Sequence, residues 1–181
     1  MKNLKKFLAV LLVAAMVTGF SGNVCRAKTK SDVYGDLIKQ LKKKEQFADG
    51  VYTAKIHDAS GNDILLVTDA GQNAIWADVY QNVNGKAELI TTIVSTGSGY
   101  PICKKGNYIL SGFHHKSMRY KITSDSTIME QINGLYLNKK YCTYTKNKIK
   151  DGKMTQLKRK KVKAKTAEKM DYYVDRKGNM R

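Results

Sequence analysis

The stretch Ala74-Ile75-Trp76-Ala77-Asp78-Val79-Tyr80-Gln81-Asn82-Val83-Asn84-Gly85-Lys86-Ala87-Glu88-Leu89-Ile90-Thr91-Thr92-Ile93-Val94 decides the fold class. Two runs rich in β-branched and aromatic residues flank Asn84-Gly85. Asn-Gly is what a two-residue hairpin turn selects, because both central residues need positive φ. The reading is therefore a strand over 74–80, a turn, and a strand over 87–94.

The same rhythm extends both ways. Upstream, 51–56 and 64–68 read as strands, separated by the turn cluster Asp58-Ala59-Ser60-Gly61-Asn62-Asp63. Downstream, a longer loop over 95–105 holds Gly97, Gly99 and Pro101. Candidate strands follow at 107–113, 118–122, 127–132 and 141–145, and Asp151-Gly152 divides a last hairpin. Only 31–46 reads as a helix. Val33, Leu37 and Leu41 recur every four residues, Ser31 is a fair N-cap, and Asp32 and Asp36 precede Lys42, Lys43 and Lys44 as the helix dipole prefers. The expected fold is α+β, mostly β: an N-terminal helix packed through Val33, Leu37 and Leu41 on an antiparallel meander or barrel-like sheet of seven or eight strands.

The chain has 181 residues, a length that suits one domain. Its 42% hydrophobic content suits a packed core, three Cys are too few for a disulfide-dense scaffold, and one Pro excludes collagen-like and Pro-rich architectures. Residues 1–27 read as a signal peptide: Lys2, Lys5 and Lys6, then the apolar run 7–17, then small residues with cleavage candidates at Cys25-Arg26-Ala27 and Gly19-Phe20-Ser21. The apolar run is too short to span a bilayer. Gly22-Asn23-Val24 before Cys25 lacks the apolar-then-small pattern of a lipidation box. The organisation is thus a signal peptide over 1–27 and a single β-rich domain over 28–181. Export makes a disulfide between Cys103 and Cys142 the expectation; the competing reading is two unpaired thiols, one of them buried.

Charge is uneven. Residues 28–137 carry 13 Lys and Arg against 11 Asp and Glu, whereas residues 138–181 carry 16 against 4, a net of +12. Lys158, Arg159, Lys160, Lys161, Lys163 and Lys165 concentrate it and are the candidate polyanion-binding residues. Outside the cell the matching partners are anionic cell-wall polymer or lipid headgroups, and nucleic acid is set aside. The competing reading is a solvated strand face. Tyr141, Tyr144, Tyr172 and Tyr173, interleaved with this charge, are expected to pack on the sheet.

Asp58, Ser60, Asn62 and Asp69 are the candidate calcium ligands, because oxygen donors fall near positions 1, 3, 5 and 12 of an EF-type loop. Asp63 stands where that loop needs Gly, and the same residues suit a tight turn. No other cofactor is expected. His57, His114 and His115 are further metal candidates, although adjacent residues 114 and 115 would diverge if they lay in a strand. No nucleophile elbow, phosphate loop or zinc-finger spacing occurs.

The segment 54–69, with Asp78-Val79-Tyr80, Gly85-Lys86, Gly106-Asn107-Tyr108-Ile109 and the Lys/Tyr-rich end after Tyr141, resembles uncharacterised small secreted β-rich proteins of clostridia-type bacteria. The resemblance covers about two thirds of the mature chain in rhythm, lacks their proline–glutamate pair, and implies a secreted non-enzymatic module. Ile93-Val94-Ser95-Thr96-Gly97, Pro101 and Gly106-Asn107-Tyr108-Ile109 are similar to a stretch of L,D-transpeptidases, which attack peptidoglycan stem peptides with a His-activated Cys. Their histidine–glycine–x–x–cysteine segment has no counterpart before Cys142. Two functional expectations follow. The leading one is a secreted, monomeric, non-catalytic module held on anionic wall polymer. The other is a thiol-dependent wall enzyme using Cys142 with His115 or Cys103 with His114.

Overall fold

A computed structural model describes residues 30–96 and 100–173. The signal-peptide expectation over 1–27 lies outside them. Helix α1 spans Lys30–Leu41. Ten strands follow: β1 Tyr52–His57, β2 Asp63–Thr68, β3 Trp76–Val83, β4 Lys86–Val94, β5 Cys103–Lys105, β6 Tyr108–Phe113, β7 Lys116–Ile122, β8 Thr127–Asn133, β9 Tyr141–Lys150 and β10 Lys153–Lys163. Helix α2, Ala164–Lys169, comes last.

The fold is α+β, mostly β, and every strand pair is antiparallel. The meander is divided into two sheets, ordered β1-β2-β3-β4 and β10-β9-β8-β7-β6-β5. Both two-residue hairpin turns read from sequence are present: Asn84 and Gly85 have φ of 51° and 80°, and Asp151 and Gly152 have 50° and 70°. Gly accepts that conformation without steric cost, and Asn and Asp tolerate it.

Alternation along the strands builds three clusters. Ile56, Ile64, Leu66, Val79 and Ile93 from the first sheet meet Ile109, Met118, Tyr120, Ile122 and Met129 from the second. The opposite face of the first sheet, through Leu65, Val67 and Tyr80, packs on Tyr34, Leu41 and Phe47. Val33 and Leu41 are buried and Leu37 is partly buried, so the expected stripe is the face that docks. The Tyr34 hydroxyl donates to the Asp63 carbonyl at 2.6 Å, fixing the helix to the start of β2. The helix begins at Lys30, so Ser31 lies within it, and it ends at Leu41, leaving Lys42 to Lys44 beyond it.

The outer face of the second sheet carries Leu110, Ile132, Cys142, Tyr144 and Val162, covered by Ala167, Tyr172 and Tyr173. The C-terminal segment is thus a strap on this sheet. The Tyr172 amide donates to Ser117 Oγ at 2.8 Å, and the Tyr173 hydroxyl donates to the carbonyls of Pro101 and Tyr100. Main-chain hydrogen bonds also join the two sheets at their margins: the Thr96 amide donates to the Gly112 carbonyl at 3.2 Å, and the Ala59 amide donates to the Ile122 carbonyl at 3.1 Å. A Cβ on Gly112 would stand 2.9 Å from Tyr100 Cδ1, so the close approach needs glycine there. No helix among the described residues is long and apolar enough to cross a membrane.

Candidate functional site

The basic run lies mostly in β10, an edge strand pinned to β9 from Lys153↔Lys150 to Lys163↔Tyr141, with a bulge between Gln156 and Lys158. Every residue of β10 except Val162 is exposed. The pleat sends Lys158, Lys160 and Val162 to the outer face, opposite Lys146, Tyr144 and Cys142, while Arg159, Lys161 and Lys163 point the other way. Lys165 is exposed on α2. The six candidate residues are therefore split between two faces and a helix. A lysine-covered edge also blocks strand-to-strand association with another chain.

Upstream lysines are tied to acids. Lys148 and Lys150 each lie 3.3 Å from Asp125 Oδ2, and Lys146 lies 3.6 Å from Glu130 Oε1. Hydrogen bonds from Ser126 and those two lysines hold the Asp125 carboxyl down at about 2. By contrast, Lys158, Arg159, Lys160, Lys161 and Lys163 pair with no carboxylate among the described residues. Lys160 Nζ sits 5.2 Å above the Tyr144 ring.

Beside β10 the outer face carries a charged, aromatic basin that no sequence motif announces. Arg119 on β7 lies between two rings, 4.8 Å from Tyr108 and 4.9 Å from Tyr172. Its Nε and Nη2 donate to Glu130 Oε2 at 2.7 and 2.6 Å. Burial alone would raise the Glu130 carboxyl; the Arg119 hydrogen bond and charge, with Lys146, outweigh that and hold it below its ordinary value. Three hollows adjoin at Arg119. One of about 670 Å³ is lined by Lys105, Asn107 and Lys121, one of about 280 Å³ by Lys121, Thr123 and Lys146, and one of about 430 Å³ by Lys158, Lys160 and Lys169. Cross-strand neighbours Arg119 and Glu130 supplied one signal, but Tyr108 and Tyr172 lie far off in sequence, so the arrangement needed the strand order.

Cys103 and Cys142 are free thiols. They lie on β5 and β9, with β6, β7 and β8 between them in the sheet, about 19 Å along it. A bridge needs Cα atoms within about 7 Å. Cys142 is buried and its thiol donates to the Gly134 carbonyl at 3.2 Å. Burial raises both thiols, with Glu168 adding to the effect at Cys142 and a Tyr173 hydrogen bond opposing it at Cys103. A thiol nucleophile needs the opposite environment. His114 and His115 sit in the β6–β7 turn, not in a strand, with ring centroids 4.3 Å apart. His115 Nδ1 lies 2.8 Å from the Leu135 carbonyl oxygen, so that nitrogen is engaged as a donor to the main chain.

Of the calcium candidates, Asp58, Ser60 and Asn62 share one turn and Asp69 stands apart from them. Asp58 is 4% exposed, and its Oδ1 accepts from the Ser60 and Asn62 amides at 2.7 and 2.8 Å. Its Oδ2 accepts from Asn62 Nδ2 at 3.0 Å and Gln81 Nε2 at 3.1 Å. Asp69 stands past the far end of β2, about 20 Å along the strand. Among the described residues no three His, Cys, Asp or Glu side chains gather in a way that could hold a metal ion. The resolved role of Asp58 is to organise the turn.

Comparison with protein-family models, curated proteins and solved structures finds no match to this chain.

Proposed function

We propose that the protein is a secreted, non-catalytic module that binds anionic cell-wall polymer through the cationic strand β10. The observation that supports this most is the concentrated charge: five consecutive or near-consecutive cations of an exposed, hydrogen-bonded strand that pair with no carboxylate among the described residues. On each face the strand repeats every second residue, about 6.8 Å, so it offers a chain of anions an evenly spaced row of donors. A fixed row loses less conformational entropy on binding than a frayed tail.

The test is binding of the mature protein to isolated wall material as salt is raised. Attraction between exposed charges is screened within about 10 Å at 0.1 M salt, so binding should fall steeply. Deleting residues 150–181 is the wrong control, because it would also remove Val162, Ala167, Tyr172 and Tyr173 from a core cluster. Replacing the exposed β10 cations with Gln leaves the buried Val162 in place and should sharply weaken the salt-sensitive binding. Retention of that binding by the neutralised strand would overturn the proposal, as would binding only to anionic vesicles and not to wall polymer.

The thiol-enzyme reading is the weaker one. The Cys142 thiol is buried and the Cys103 thiol half-buried, both are raised, and thiols so placed are poor nucleophiles.

A further inference from the structure

We infer that an extended polyol- or sugar-phosphate chain lies across the strands of the outer face, from Lys158 and Lys160 on β10, past Arg119 and Lys121 on β7, to Lys105 on the opposite edge strand β5. This deepens the polymer-binding reading and rests on it. The pleat makes the two faces of β10 unequal. Lys158 and Lys160 open directly into a hollow shared with Arg119 and Tyr172, whereas Arg159 and Lys161 stand on the other face. From that hollow the depression continues past Arg119 into the one lined by Lys105, Asn107 and Lys121. A ligand lying across it would traverse the five strand spacings from β10 to β5, about 24 Å.

The lining fits a hydroxylated anionic chain better than a bare anion. Cations stand at both ends, Lys158 and Lys160 on β10 and Lys105 on β5, and neither Lys105 nor the intervening Lys121 has a carboxylate partner among the described residues. Between the ends lie Lys121 and neutral groups that can meet hydroxyls, namely the Asn107 amide, the Thr123 hydroxyl, Tyr108 and Tyr172. The carboxylates in the lining are Glu130, held by Arg119, Asp171, which accepts from the Tyr136 hydroxyl and the Tyr173 amide, and Asp58, which accepts from its own turn. Arg119 is already neutralised by Glu130 and stacked between rings, so it gives the floor its shape while the lysines supply net charge. Ammonium groups serve as mobile point donors to phosphate, which suits a chain whose anions need not sit in one register.

The experiment uses soluble poly(glycerol phosphate) as probe and three charge-matched pairs in the full mature chain: K158Q/K160Q, R159Q/K161Q and K105Q/K121Q. The inference predicts that the first and third each weaken affinity about fivefold or more, while the second changes it about twofold at most. Equal weakening by both β10 pairs would sink the face assignment but leave polymer binding standing. An effect of K158Q/K160Q without one of K105Q/K121Q would confine the ligand to β10 and refute the crossing. No effect of any pair would remove the polymer-binding reading altogether. Vesicles of phosphatidylglycerol, run in parallel, report whether the same residues take a headgroup instead; preference for them over the soluble chain contradicts the inference.

Discussion

Arg119 and Glu130 sit opposite each other on β7 and β8, joined by two hydrogen bonds of 2.6 and 2.7 Å to a single carboxylate oxygen. Tyr172, carried by the C-terminal strap, closes over this pair: its ring is 4.9 Å from the guanidinium and its hydroxyl 3.4 Å from the same oxygen. The strap, the sheet and the basin are therefore one unit.

Glu130→Gln should separate stability from binding. The charge-assisted bonds weaken, so unfolding free energy should drop by about 1–2 kcal/mol in a denaturant titration. The basin gains one positive charge, so affinity for an anionic chain should rise at low salt. A variant that loses both would show that the pair shapes the binding surface rather than merely offsetting its charge.

Acid should destabilise the protein through two carboxylates. Glu130 lies below its ordinary 4.5 and Asp58 below its ordinary 3.8. At Asp58 burial opposes the shift, but hydrogen bonds from Asn62, Ser60 and Gly61 outweigh it. A depressed folded value adds stability that is present above the ordinary value and lost as pH falls through the folded one. Thermal unfolding followed from pH 6 downwards should show the midpoint holding until about 4.5 and then dropping. Glu130→Gln should flatten the upper part of that drop.

Asp58→Ala removes the acceptor for two amides and two side chains and leaves Gln81, itself buried, without its partner. The expected loss is about 3 kcal/mol, readable as a lower denaturation midpoint. Added calcium should not raise the midpoint of the unsubstituted protein; a clear rise would restore Asp58 as a ligand.

The thiols should react as free, shielded groups. Intact mass should not change on reduction. A maleimide should modify Cys103 slowly and Cys142 only after unfolding, and the rate at Cys103 should climb only above the ordinary thiol range. A mass two units lower without reductant would mean a bridge and a different placement of β5.

Tyr173 is 1% exposed and anchors the strap, so Tyr173→Ala should cost about 3–5 kcal/mol. Because Tyr172 would be released with it, affinity for the anionic chain should also fall. Tyr173→Phe keeps the ring and should restore most of the stability.

Local signals carried most of the fold. Asn84-Gly85 and Asp151-Gly152 mark their turns by backbone chemistry, and the α1 stripe marks its buried face by periodicity. The short strand β5 was hidden in the loop read over 95–105, since three residues carry no period. The division into two sheets was not legible either, because it rests on contacts such as Thr96 to Gly112 that join distant segments. The basic strand was plain as composition, but which lysines face inward depends on a bulge at Gln156/Lys158 and on register with β9. Arg119, Tyr108 and Tyr172 form a site only through strand order and the strap.

The most direct measurement is affinity of the protein for soluble poly(glycerol phosphate) across a salt series, with and without the exposed β10 cations. The logarithm of the binding constant should fall with the logarithm of salt, as release of counterions requires, and the slope should become shallower once the β10 cations are removed. A binding constant indifferent to salt, or a slope that keeps its value after β10 is neutralised, would contradict binding through that strand.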